Sequence, residues 1–497
     1  MRHIADHPVR TSLARASLWA MAGSGLQYLS LFILLAYLTR ILNPRDFGLM
    51  ATLSIGLDLG LRIARWGQIE LLQHPDNRSD AVRNHAFWLS MAIACGPALL
   101  FIIAAWPIGA YFASPEITIM ANLCAPILLL SAAGSTAEAI LRNEFRFKQL
   151  AYRNTVCTLI GGAIAIGMAM QGFGATALAA QQLIQATLGT IWVWAVVAWR
   201  PSFARISYYN PKAARHGASI MVGSLLPQLI PRSFDLFVAV LLGPVALGIM
   251  RVANRFNDFV GQMISIPLIG VAHAQFSTVA SETAAVRKGY LRLTQTSALV
   301  TSPVMIGVGL VAPEAVPLLF GIHWLPSVPI VQILSLLGII LPVSSYFSAA
   351  MLALNARHIV VRQSILDLCL GVTLAAAAAY ISLETVAWAI VVRCAFTSIC
   401  NSVDLGKHLD LRLLDLAHHL AAPLVATLAM TVTVLAARFV FGESLSPIQT
   451  LLLLTFGGGV AYAATIFIGA RRGLWPNYGL DFQRWLPVPE QNLYDGA

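Results

Sequence analysis

Fourteen apolar runs, each bounded by polar or turn-forming residues, dominate this chain and leave few folds open to it. They fall at about 17–39, 47–65, 86–108, 117–140, 155–173, 175–199, 217–241, 246–273, 293–312, 327–352, 362–381, 384–403, 417–437 and 447–470. A helix needs roughly 20 apolar residues to cross ~30 Å of hydrocarbon, and every backbone polar group inside lipid must be bonded within the spanning structure. None of the runs alternates apolar with polar residues, so a transmembrane barrel is excluded. Only 11% of the 497 residues are charged, against ~25% in soluble domains. The sequence therefore predicts an all-α polytopic membrane protein of about 14 transmembrane helices. The apolar run after the N-terminal polar stretch lacks a small-residue cleavage site and is read as a first span rather than a signal peptide.

The net charge of +10 would suit nucleic acid, but the placement of the basic residues assigns it to topology. Of 32 Lys and Arg, 25 lie at the N-terminus, in the even-numbered loops or in the tail, and only Arg40, Arg45 and Arg438 lie in odd-numbered loops. Basic residues are retained on the cytoplasmic side, so both termini are predicted to be cytoplasmic and no nucleic acid is needed. The six cysteines, Cys95, Cys124, Cys157, Cys369, Cys394 and Cys400, form no C-x-x-C pair and read as packing residues. His418 and His419 form an isolated pair near a helix start, more an interfacial feature than a metal site. Neither a Walker A motif nor a Gly-rich dinucleotide fingerprint is present, so the chain is expected to use no cofactor or metal and to be no enzyme.

An internal repeat organises the spans. Leu42-Asn43-Pro44-Arg45-Asp46-Phe47-Gly48-Leu49-Met50 is echoed by Leu242-Gly243-Pro244-Val245-Ala246-Leu247-Gly248-Ile249-Met250, and Asp58 and Asp258 keep the same offset. The copies sit between spans one and two and between spans seven and eight. An even number of spans separates them, so the halves share one orientation and are related by an axis along the membrane normal. This predicts two parallel six-helix lobes, at 1–210 and 211–410, two additional helices at 411–470, and a cytoplasmic tail at 471–497. Facing lobes around a central cavity suit transport by alternating access.

Ionisable groups at membrane depth are expensive unless paired or hydrated, so each is a site candidate. Asp58 with Arg62, and Arg255 with Asp258, are spaced to pair on one helical face. Arg251 and Arg255 lie one turn apart, Arg393 falls near the middle of its span, and Arg232 lies between Pro231 and Asp235 in a span interrupted by Pro227 and Pro231. Arg232, Arg251, Arg255 and Arg393 are the candidate substrate-binding residues, since guanidinium forks match phosphate oxygens. The alternative is structural pairing with Asp235, Asp258 and Asp367. Asp58, Asp235, Asp258, Asp367 and Glu138 are candidate coupling or counter-ion carboxylates.

The stretch Ala36-Tyr37-Leu38-Thr39-Arg40-Ile41-Leu42-Asn43-Pro44-Arg45-Asp46-Phe47-Gly48 resembles the signature that closes the first helix of bacterial polysaccharide-transport proteins, with Thr39 in place of the usual small residue. Leu141-Arg142-Asn143-Glu144-Phe145-Arg146-Phe147, then Gly172-Phe173-Gly174-Ala175-Thr176-Ala177-Leu178, then Trp199-Arg200-Pro201 resemble the same proteins in the same order. The resemblance, over roughly residues 15 to 410, is to Wzx-type oligosaccharide flippases, especially the branch containing succinoglycan and colanic-acid exporters. These belong to the multidrug/oligosaccharidyl-lipid/polysaccharide exporter superfamily. It implies a MATE-like fold in the bacterial inner membrane, with a polyprenyl-diphosphate-linked oligosaccharide as substrate and membrane lipid around it. It also implies a polysaccharide polymerase and a chain-length regulator as partners in exopolysaccharide or lipopolysaccharide biosynthesis. The alternatives are a lipid-linked peptidoglycan precursor flippase, a cation-coupled drug antiporter, for which four arginines within spans are the wrong charge, and, from another class, a polysaccharide polymerase or ligase, whose long periplasmic loop is missing.

Overall fold

A computed structural model describes residues 25–73, 79–202, 211–279, 282–441, 445–473 and 475. The N-terminal arginines, the start of the first predicted span and the tail beyond 475 lie outside the described residues. Helices follow the predicted spans in order: α1 Gly25–Ile41, α2 Pro44–Arg65, α3 Gln68–Gln73, α4 Asp80–Tyr111, α5 Pro115–Asn143, α6 Phe147–Met170 and α7 Thr176–Val196. The second half adds α8 Pro211–Phe237, α9 Gly243–Val260, α10 Ile266–Thr278, α11 Thr283–Phe320, α12 Val328–Ser335, α13 Leu337–Ser344, α14 Phe347–Ala353, α15 Arg357–Ala379, α16 Leu383–Leu409, α17 Leu413–Phe441 and α18 Pro447–Arg471. Among the described residues, ten stretches are long and apolar enough to cross a membrane alone, or eleven if the pair Ile322–Ser335 and Leu337–Ala353, bent by 42°, counts as one span.

That count differs from fourteen for local reasons. Pro227–Val260 forms one continuous apolar stretch although two spans were predicted there, because the chain turns at Gly243 (φ 85°) with hardly a break in helical bonding. The described part of α1 is short, and α7 carries Gln181, Gln182 and Gln185 in its first half. Nor do Pro227 and Pro231 break α8, as the sequence predicts. The helix runs through both, and the irregularity is a π turn at Val238–Leu242. Two prolines one turn apart each remove one N–H from the ladder without ending it.

Two of the larger apolar clusters among the described residues each draw mainly on one half of the chain. One gathers Leu38, Leu49, Leu57, Ile117, Met120, Leu128 and Leu178 from α1, α2, α5 and α7; the other gathers Phe234, Leu247, Met250, Val316, Phe320, Trp324 and Leu334 from α8 to α12. The repeated loops close them against each other. Pro44 begins α2 behind the capping box of Asn43 and Asp46, and Pro244 enters α9 at the equivalent place, since Pro fits the first helical turn. A Cβ on Gly48 would stand 1.7 Å from the Pro244 carbonyl oxygen, and one on Gly248 would stand 2.0 Å from that of Pro44. The contact is reciprocal, as a two-fold relation between the repeats requires. The repeat thus keeps glycine because two helix backbones cross here. The same end is held by Arg40 Nη2 donating to the Leu318 carbonyl (2.6 Å), Trp324 Nε1 donating to the Thr39 carbonyl (2.8 Å), and Phe32 against Phe256 and Phe320.

A short helix that the sequence did not predict, α3, turns back from α2 through two left-handed residues, Trp66 and Gly67. It docks by one buried polar residue: Gln68 donates to the Thr136 hydroxyl and accepts from Ser90 (2.7 Å) and Ser135. Gln68→Leu would strand these hydroxyl contacts. It is expected to cost about 1–3 kcal/mol, measured as a fall in unfolding midpoint of the purified protein. An unchanged midpoint would refute this docking role.

Candidate functional site

Arg232 is the node of the candidate site. Nη2 reaches Asp58 Oδ2 on α2 at 2.7 Å, and Nη1 donates to Asp235 Oδ2, one turn along α8, at 2.7 Å. Arg251 Nη2 on α9 lies 3.0 Å from the same Asp235 oxygen. One carboxylate is thus wedged between two guanidiniums, and a second, from the other half of the molecule, completes the network. The structure pairs Asp58 with Arg232 rather than with Arg62, the partner that helical spacing suggests. Sequence spacing could not reveal this, because the two residues lie on helices far apart in the chain.

One turn beyond Arg251, Arg255 Nη1 and Asp258 Oδ2 are 3.9 Å apart, and their side chains are 52% and 60% exposed. This pair is loose, and screening leaves an exposed ion pair worth little. Asp258 repeats Asp58 at the predicted offset, yet its guanidinium partner lies on its own helix, whereas that of Asp58 lies on α8.

Arg393 lies elsewhere. Its Nη1 donates to Asp367 Oδ1 at 2.5 Å, joining α16 to α15, and Thr397 donates to the same oxygen at 2.8 Å. Gly371 allows this: a Cβ there would meet Ile230 of α8 at 3.2 Å and the Arg393 Cδ at 3.3 Å. Gly371 thus lets α15 approach both Ile230 and Arg393, whereas Arg232 turns toward α2. The four arginines form one network of two, one loose pair and one separate pair. Glu138 stands on α5, where Oε1 accepts from Arg142 Nε (3.1 Å) and Nη2 (2.7 Å), and Oε2 accepts from Arg153 Nη1 (3.1 Å).

Within these groups charge is matched in pairs rather than left as bare positive charge. Donor capacity is not matched. Arg232 Nε, Arg251 Nε and Arg393 Nε are buried with no hydrogen-bond acceptor among the described residues. A guanidinium has five N–H donors in a fixed fork, and a carboxylate can be exchanged for a phosphate oxygen on that fork. Asp58 is the partner best placed to yield, being 38% exposed where Asp235 is 7% exposed. Among the described residues, no cluster of three His, Cys, Asp or Glu could hold a metal.

The model of a family described as polysaccharide biosynthesis protein matches residues 37–329, more than half of the chain. The succinoglycan biosynthesis transport protein ExoT of Rhizobium meliloti is 25% identical over 63% of this chain and 64% of its own length, so the chain spans just under two thirds of that relative. Among solved structures, the lipid II flippase MurJ in an inward closed conformation aligns with a TM-score of 0.70 at 12% identity, covering 93% of this chain and all of that one. An inward-facing multidrug resistance MATE family transporter aligns with a TM-score of 0.62 at 14% identity, over 78% of this chain and 94% of its own. At these identities the structural likeness establishes the all-α MATE-like fold.

Proposed function

The chain belongs to the polysaccharide biosynthesis protein family, and on that premise we propose that it is a Wzx-type flippase of the multidrug/oligosaccharidyl-lipid/polysaccharide exporter superfamily. Its cargo is a polyprenyl-diphosphate-linked oligosaccharide repeat unit. The protein moves it from the cytoplasmic to the periplasmic leaflet of the bacterial inner membrane for exopolysaccharide or lipopolysaccharide assembly. No bond is made or broken in the process, so the chain is no enzyme. A polymerase and a chain-length regulator act on the delivered unit.

The observation that carries this reading is the Asp58–Arg232–Asp235–Arg251 network, which ties α2 to α8 and α9 through charges a diphosphate can replace. A glycan with two phosphates cannot cross hydrocarbon unaided, while its polyprenyl chain can remain in lipid. When the diphosphate takes the Arg232 and Arg251 forks, Asp58 is released and the tie between lobes 1–210 and 211–410 loosens. The lobes then rock about the Gly48–Gly248 crossing, and the hairpin at 411–470 travels with the second lobe. Binding energy for the ligand is thus linked to the change of state, as population shift requires.

The direct test is depletion of the protein in its host. Lipid-linked repeat units are expected to accumulate in the cytoplasmic leaflet and polymer to cease; unchanged polymer would end this reading. A second prediction concerns orientation. In a cysteine-free background, cysteine at Gly172 or Val245, both exposed, should react with an impermeant reagent added from the periplasm, and cysteine at Lys148 should not. Labelling on the opposite sides would place both termini in the periplasm.

A further inference from the structure

The first lobe contains a cavity of about 190 Å³ that the network above does not touch. Its polar lining includes Gln27 of α1, Arg65 of α2, Glu138 of α5, Arg153 and Asn154 of α6, and Gln185 of α7. We propose that this cavity is a second binding subsite, for an anionic and hydroxyl-rich part of the transported headgroup; the proposal rests on the flippase reading.

The charge balance selects the sign of the ligand. Among the described lining residues Glu138 is the one acid, set against Arg65 and Arg153. Both oxygens of that acid are already engaged by Arg142 and Arg153, and Arg65 is a further guanidinium within its electrostatic reach. A cation would meet more positive than available negative charge, whereas an oxyanion would complete the set. Arg65 is exposed and anchored through Nε on the Ser131 hydroxyl at 2.7 Å, which orients the rest of its fork. Arg153 is held by Asn154 Oδ1, at 3.0 Å from Nε and 2.8 Å from Nη2. Preset forks lose little freedom on binding and suit carboxylate or phosphate.

The remaining lining is chosen for hydroxyls. Gln185 Nε2 is buried without a hydrogen-bond partner among the described residues, and a buried orphan donor costs ~1–3 kcal/mol until a ligand or water satisfies it. Thr158 and Gln27 add donors and acceptors, and Thr190, whose hydroxyl donates to the Leu130 carbonyl at 3.0 Å, adds an acceptor. Amides and hydroxyls around a space of this size suit one sugar ring bearing an acidic group, or the sugar next to the carrier diphosphate. Gly189 forms part of the wall and keeps the space open: a Cβ there would be 4.0 Å from Arg153 Cδ, so a larger side chain enters the cavity without a backbone clash.

The test uses full-length protein in nanodiscs and the shift of its unfolding midpoint, since a ligand bound to the folded state raises it. Methyl glucuronide, methyl glucoside and inorganic pyrophosphate are the probes. Methyl glucuronide is expected to stabilise the wild type where methyl glucoside does not. Arg65→Gln should weaken that effect by about tenfold, the worth of one charge-assisted contact, and Gly189→Leu should abolish it. Both variants should melt like the wild type without ligand. A pyrophosphate shift that Arg65→Gln removes also supports the subsite and names the carrier diphosphate as the source. No anion shift in the wild type, or one that survives both substitutions, overturns it. Flipping of lipid-linked oligosaccharide by wild-type proteoliposomes is measured in parallel. Its failure with the binding intact rejects the flippase reading, and its success without binding rejects the subsite alone.

Discussion

Gly248→Val is expected to abolish export while the protein still inserts and accumulates. The added side chain would begin 2.0 Å from the Pro44 carbonyl oxygen, a contact with backbone that no rotamer change relieves. The two helices must separate. Overpacking of this kind costs about 1–3 kcal/mol, enough to move a two-state equilibrium roughly 5- to 150-fold away from the closed seam. Gly48→Val should do the same, because its Cβ would meet Pro244 at 1.7 Å. The seam can be read without transport: Tyr111 donates to the Val240 carbonyl at 3.3 Å across it, so cysteines at 111 and 240 should be bridged by a short bifunctional thiol reagent. The bridge should form in the wild-type background and fall away with Gly248→Val. Normal export and bridging in a Gly48→Val, Gly248→Val double variant would show that the crossing is not a moving part.

The repeat was legible in the sequence because both copies had to keep the same answer to one steric problem. Pro opens each helix and Gly lets the partner through, and each choice leaves a mark at a fixed offset. The long apolar spans were legible for the same reason, since hydrocarbon tolerates few alternatives. The interruptions were not. The π turn at Val238–Leu242 and the bend between Ile322–Ser335 and Leu337–Ala353 depend on how neighbours pack, and apolar composition is blind to that.

At the site, the residue types were readable and their partners were not. Every ionisable group within a span stands out by its cost, so Arg232, Arg251, Arg393 and Asp58 could be found one by one. Which carboxylate faces which guanidinium depends on how distant helices pack, and Asp58 with Arg232 is a contact between residues 174 positions apart in sequence. The cavity bordered by α1, α2, α5, α6 and α7 is marked in the sequence by the uncharged residues Gln27, Asn154 and Gln185 as much as by charges. Amides within apolar helices carried the signal and would have marked α1, α6 and α7 as lining something polar.

Arg232→Gln should produce the second large effect, with lipid-linked oligosaccharide accumulating in the cytoplasmic leaflet. The substitution removes the fork shared by Asp58 and Asp235 and leaves Asp235, 7% exposed, with Arg251 alone. Breaking a buried pair on one side costs about 3–5 kcal/mol, so loss of transport by itself would not separate a binding role from a structural one. Asp58→Asn makes the separation. Asp58 is 38% exposed, its removal leaves Arg232 bonded to Asp235, and the stability cost should stay below about 1 kcal/mol. If Arg232 serves only to tie the lobes, the Asp58→Asn, Arg232→Gln double variant loses both ends of the tie and should transport better than Arg232→Gln alone. If the guanidinium holds the diphosphate, the double variant stays as defective as the single one. Arg232→Lys should then recover only part of the activity, because it restores the charge without the fork. Full export by a well-folded Arg232→Gln protein would remove the network from the mechanism and leave the family assignment standing.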